Sequence, residues 1–88
     1  MGEDVARSVS LNASGDLTAA SGFLFSVNLT AGGATALAIV TDKLSGTELT
    51  RLSALSNTSA QRQFLHGIAH NGLTLTLSGA GAVCDAEL

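Results

Sequence analysis

Between Phe23 and Leu29 the chain alternates: Phe23, Phe25, Val27 and Leu29 take every second position, with Leu24, Ser26 and Asn28 between them. A spacing of two marks a strand, whose successive side chains leave opposite faces of the backbone. It predicts that Phe23, Phe25, Val27 and Leu29 share the core face, and that Leu24, Ser26 and Asn28 share the other. Ala31-Gly32-Gly33-Ala34 breaks the pattern as a turn, and Leu37 and Ile39 resume it in a second strand over 35–41. The two segments commit the chain to a β fold.

The rest of the chain repeats this grammar. Val9, Leu11 and Ala13 alternate ahead of a Ser14-Gly15-Asp16 turn, and 17–20 is a brief strand or a bend before Ser21-Gly22. Residues 42–46 have the composition of a turn. Residues 47–55 stay open between two elements. Leu49, Leu52 and Leu55 recur at spacing three, as on one face of a short helix, while 47–52 equally fits a strand. Thr47 has no Glu or Gln three residues on to complete a capping box. After a loop at 56–59, Gln61 to Leu65 forms a strand that His66-Gly67 interrupts. Asn71-Gly72, between apolar segments, is a strong hairpin signal. Leu73, Leu75 and Leu77 then alternate with Thr74, Thr76 and Ser78, and Gly79-Ala80-Gly81 turns the chain again. In the last strand Ala82, Cys84, Ala86 and Leu88 face one way, with Val83, Asp85 and Glu87 opposite. The pattern predicts an all-β fold, a small antiparallel β-sandwich or barrel of about six to seven short strands. Residues 1–8 are expected to form a flexible N-terminal arm and 9–88 a single β domain.

Composition narrows what such a domain does. With 88 residues, a lone domain buries only about two thirds of its unfolded surface and leans on disulfides, metals or oligomerisation. A single cysteine excludes an internal disulfide, so self-association as a dimer or trimer is the expected support. The charged fraction is 12%, about half the usual ~25%. The surface is therefore built from Ser, Thr, Asn, Gly and Ala, which can pack against another protein without electrostatic repulsion. The net charge of −3 and the scattered Arg7, Lys43, Arg51 and Arg62 leave no basic stripe for nucleic acid. No apolar run approaches the ~20 residues of a membrane span. The MGEDVARSVS start lacks a signal segment, so synthesis in a cytoplasm is expected.

Candidate chemistry is sparse. His66 and His70 are four apart, a spacing that on a helix can bind one metal ion. In a strand it separates them by about 13 Å, too far for one ion, so solvated or interfacial histidines are expected. Cys84 lies on the alanine-lined inward face beside Asp85, which opposes thiolate formation, and is expected to pack in the core. Asp85 and Glu87 share a face near the end of the sequence without an evident pocket, which suggests a solvated edge. No serine occupies a nucleophile elbow. Gly32-Gly33 lacks the lysine of a phosphate loop and the third glycine of a dinucleotide site. The N-x-[ST] triplets at Asn12, Asn28 and Asn57 are readily supplied by chance in so Ser- and Thr-rich a chain. Catalytic, cofactor-binding and metal residues are therefore expected to be none.

The run FSVNLTAGGATALAIVTDKLSGTELTRLSAL and the closing HGIAHNGLTLTLSGAGAVCDAEL carry a resemblance. In both order and turn chemistry, over residues 21–88, the chain resembles small structural proteins of tailed-bacteriophage virions. That class comprises capsid cement or decoration proteins and small head-tail or tail adaptors. The resemblance implies a non-enzymatic β-sandwich or barrel on a symmetric lattice, made in the host cytoplasm and located in the virion. Its partners would be the major capsid protein and further copies of itself, and it carries no catalytic residues. Asp85 and Glu87 depart from the apolar final strand of that class, leaving open whether the strand pairs centrally or lies at an edge. A neck or tail component, and a carbohydrate-binding or adhesion sandwich, are the alternative functions.

Overall fold

The computed structural model describes residues 8–88. The expected arm therefore lies outside the described residues except for Ser8, which opens the first strand. Six strands follow in chain order: β1 (Ser8–Leu11), β2 (Gly15–Thr30), β3 (Ala36–Asp42), β4 (Glu48–Ala54), β5 (Ser59–Ser78) and β6 (Val83–Glu87). The open segment 47–55 is a strand, with Thr50, Leu52 and Ala54 turned inward. Alternation decides it: on a helix those three residues would scatter around the axis.

Every pair is antiparallel, in the order β1-β6-β2-β5-β3-β4. The pairings nest: β1 takes β6, β2 takes β5, and β3 takes β4, so the chain is one long ribbon whose tip is the β3–β4 hairpin. The ribbon's long middle is β2 on β5. Its first part (Ser26–Thr30 against Ser59–Gln63) is flanked by β6 and then β1, and its second (Gly15–Leu24 against Ile68–Leu75) by β3 and then β4. The two parts fold over one another. Val27, Leu29, Cys84 and Ala86 meet Leu24, Ala36, Ala38, Val40, Leu52, Leu73 and Leu75 in a single buried cluster. The radius of gyration, 12.5 Å, is close to the ~12 Å of a compact domain of this length. The all-β expectation holds, as a sheet closed over its own core in the manner of a small sandwich or barrel.

Three local expectations need correction. Asn71-Gly72 is not a hairpin turn, because β5 runs unbroken through it; Gly72, at φ 96°, instead sits where Ala19 and Ala20 of β2 bulge past it. Ser21-Gly22 and His66-Gly67 likewise lie inside β2 and β5. On β3 the inward residues are Ala36, Ala38 and Val40, so Leu37 and Ile39 take the outer, half-buried positions. Their bulk is accommodated outside while alanines let the two layers approach.

The third correction fixes the site. Leu24 pairs with Ile68 and Ser26 with Gln63, so the single residue Phe25 on β2 opposes Phe64, Leu65, His66 and Gly67 on β5. This bulge breaks the period of two. Leu24 and Val27 point inward and are fully buried, while Phe25 and Ser26 both turn outward, so Phe23 and Phe25 leave the core.

β6 is an interior strand, between β1 and β2. The edge reading of Asp85 and Glu87 is thereby corrected: they stand on the outer face of a central strand, and Ala82, Cys84 and Ala86 face inward as expected. On β5, Arg62 stands opposite the fully buried Val27 and is itself exposed.

Candidate interaction surface

The crease in the ribbon assembles an apolar patch. Phe23 and Phe25 stack, with ring centroids 6.4 Å apart and planes at 29°. They remain 51% and 41% exposed, and Leu65, on the bulge, is 91% exposed. Gly67, at φ 75°, makes the arrangement possible, since it can adopt the left-handed backbone and leaves space for the Phe25 ring. Ala69 faces outward beside Phe23 in the next row. Isolated exposed leucines are ordinary, and Leu44 and Leu55 are two. Two stacked, half-exposed rings, with an exposed leucine on the bulge that opposes Phe25, make an apolar surface of the kind that marks docking sites.

Next to this patch, the outer face of the β1-β6-β2-β5 half holds a concavity of about 310 Å³ lined by Ser8, Ser26, Asn28, Gln61, Asp85, Ala86 and Glu87. Cross-strand register builds it: Ser10, Asp85, Asn28 and Gln61 form one outward row, and Ser8, Glu87, Ser26 and Gln63 the next. Ser26 is only 8% exposed, and its hydroxyl donates to Glu87 Oε1 at 2.9 Å. That bond orients the carboxylate and leaves its other oxygen without a donor among the described residues.

Two ion pairs lie elsewhere among the described residues. Lys43 pairs with Asp16 and Arg51 with Glu48, and each carboxylate is held below its usual range by the hydrogen bond from its partner. Asp42 is buried at the end of β3, where its carboxylate accepts the Asn71 N–H at 2.6 Å and both the Ser45 N–H and hydroxyl at 2.9 and 2.7 Å. These bonds, the one from Asn71 foremost, favour its charged form and lower its pKa. Among the described residues, Asp42 is satisfied by these neutral donors, whereas Asp85 and Glu87 stand on the outer face with no cationic partner.

The two histidines part company. His66 is exposed on the bulge, whereas His70 is buried within the fold, against the expectation of a solvated or interfacial ring. Its Nδ1 accepts the Gly72 N–H at 3.1 Å, which leaves the neutral ring's proton on Nε2. Nε2 lies over Gly22 and toward the Phe23 main chain, but makes no hydrogen bond of ordinary geometry. Burial lowers the His70 pKa, and the nearby Asp42 charge opposes that shift in part. Cys84 is fully buried, and burial, with the Asp85 charge adding, pushes its thiol up to about 11. A thiol so placed is inert at neutral pH. No group of three or more His, Cys, Asp or Glu able to hold a metal ion occurs among the described residues.

Comparison with protein families, with curated proteins and with solved structures finds no match for this chain. Sequence periodicity missed the patch because it placed Phe23 and Phe25 inside. The available signal was Phe64-Leu65-His66-Gly67, whose apolar pair and glycine interrupt alternation directly opposite Phe25.

Proposed function

We propose that this protein is a non-enzymatic structural component that docks onto a protein lattice through the Phe23–Phe25–Leu65 patch. The lattice is the capsid surface of a tailed phage, where the protein acts as cement between major capsid subunits. The carrying observation is the pair of stacked, half-exposed phenylalanines at the crease. A domain with so few charges gains most by covering such a patch, and each fully buried ring contributes on the order of 1.5–3 kcal/mol. The resemblance to virion structural proteins supplies the lattice, and the expected dimer or trimer supplies further contacts. Co-sedimentation with expanded capsids stripped of accessory proteins tests this reading. Wild-type protein should bind saturably, with hundreds of copies per particle, and Phe23→Ser/Phe25→Ser should abolish binding. A dozen or fewer copies would move the protein to the neck or tail, and undiminished binding by the double variant would overturn the role of the patch.

One observation favours a second reading. Aromatic rings exposed beside a concavity of amides and carboxylates also compose a sugar platform, as a carbohydrate-binding sandwich would present. Binding of the isolated domain on a glycan array, lost in the same double variant, would select it.

A further inference from the structure

We infer that the partner segment covering the phenylalanine patch carries an arginine whose guanidinium enters the Asp85–Glu87 concavity. This rests on the docking reading above and names the chemistry of what docks. Three observations converge. First, the bulge turns two consecutive residues outward, so Phe25 belongs to the apolar patch and Ser26 to the concavity. One bound segment therefore meets both. Second, the concavity is rich in acceptors. The Asp85 and Glu87 carboxylates line it together with the Asn28 and Gln61 amides, which can each turn an oxygen inward, and Ser26 spends its hydroxyl proton on Glu87. A guanidinium presents five donors in a planar fork and has no acceptor, which is the complement of such a wall. Third, the two carboxylates have no cationic partner among the described residues. Arg62 stands opposite Val27, not in the outer row of Asp85 and Gln61.

Other ligands fit less well. A metal ion would want a third carboxylate or histidine, and no such group gathers here among the described residues. A phosphate would meet two like charges. The apolar neighbours suit a peptide in which aliphatic or aromatic side chains flank the arginine, since its stem packs on apolar surface while its head is paired.

The test uses isotope-labelled full chain titrated with N-acetyl-arginine amide and, separately, with the neutral near-isostere N-acetyl-citrulline amide. Saturable amide shifts at Ser26, Asn28, Gln61, Asp85 and Glu87 are expected with arginine, and binding at least about tenfold weaker with citrulline, because charge-assisted bonds are lost. Asp85→Asn/Glu87→Gln, which keeps shape and can retain the Ser26 bond, should remove the preference. Equal responses to the two ligands overturn the inference, as do the same saturable shifts with calcium alone or with a neutral oligosaccharide. A response that appears only in Arg7→Gln would place the chain's own Arg7 in the concavity and also overturn it. On stripped capsids, Asp85→Asn/Glu87→Gln should weaken docking and flatten its salt dependence. If that variant docks normally while Phe23→Ser/Phe25→Ser does not, the arginine falls and the docking reading stands. If the phenylalanine variant docks normally while arginine still binds, the docking reading falls alone.

Discussion

Gly67 is packed against the ring of Phe25: a Cβ at Gly67 would lie 2.9 Å from Phe25 Cε1 and 3.1 Å from Phe23 Cβ. The glycine also holds φ 75°. Two penalties therefore meet at one position, a left-handed backbone and a steric clash. Gly67→Ala should destabilise the fold by about 1–3 kcal/mol, read as a lower urea midpoint at unchanged slope. It should also displace the Phe25 ring, read in the aromatic NMR shifts. A variant as stable as wild type would show that the bulge relaxes without cost.

Leu24 and Phe23 should invert the usual ranking of leucine and phenylalanine. Leu24→Ala empties a fully buried site and should cost about 2–5 kcal/mol. Phe23→Ala removes a ring that is 51% exposed and should cost no more than about 1.5 kcal/mol. Urea denaturation of the two variants side by side checks the change of face at Phe25. If Phe23→Ala costs more, the ring is covered in solution by another copy.

Acid should act on the fold in two stages. His70 has its folded pKa lowered from the ordinary 6.5, so below that value the unfolded chain takes up the proton first and stability falls as pH drops. Protonation also removes the acceptor that Gly72 N–H uses at Nδ1. Asp42 has its folded pKa lowered from 3.8, so its contribution is present above that value and is lost as pH falls through the folded value. The urea midpoint should therefore decline from pH 7 to 5, and again below pH 4. His70→Gln, which retains an acceptor, should flatten the first decline and leave the second.

The two adjacent glycines after β2 should behave differently. A Cβ on Gly32 would lie 2.7 Å from the Ala80 carbonyl oxygen and 2.9 Å from Gly81 Cα, whereas one on Gly33 meets nothing within 4 Å. Gly32→Ala must move the 79–82 turn and should cost about 1–3 kcal/mol. Gly33→Ala should stay within about 0.5 kcal/mol of wild type. Thermal denaturation of the pair reads the difference.

What was legible in the sequence followed from strict alternation uninterrupted by long-range pairing. The inward set Ala82, Cys84 and Ala86 and the inward Leu73 and Leu75 are visible by spacing alone. Phe23 and Phe25 were not, because their face depends on four residues of β5 that lie about forty positions away in sequence and oppose a single residue of β2. Asn71-Gly72 misled for the same reason. A positive φ serves a hairpin turn and a bulge equally, and only the partner strand distinguishes them. The concavity was invisible because its walls come from β1, β2, β5 and β6. Asp85 and Glu87 carried the one local sign, as charges on an outer face with no cation at a matching position on the same strand.

The nesting of the strands has a consequence in time. β1 is synthesised early and finds its partner only when β6 emerges, most of the chain later. Contacts of such long sequence separation slow folding, and here they must close last. The concavity takes Ser8 from β1 and Glu87 from β6, so it does not exist in a nascent or half-folded chain. The arginine pocket we infer would thus act as proofreading: only a finished molecule could be recruited.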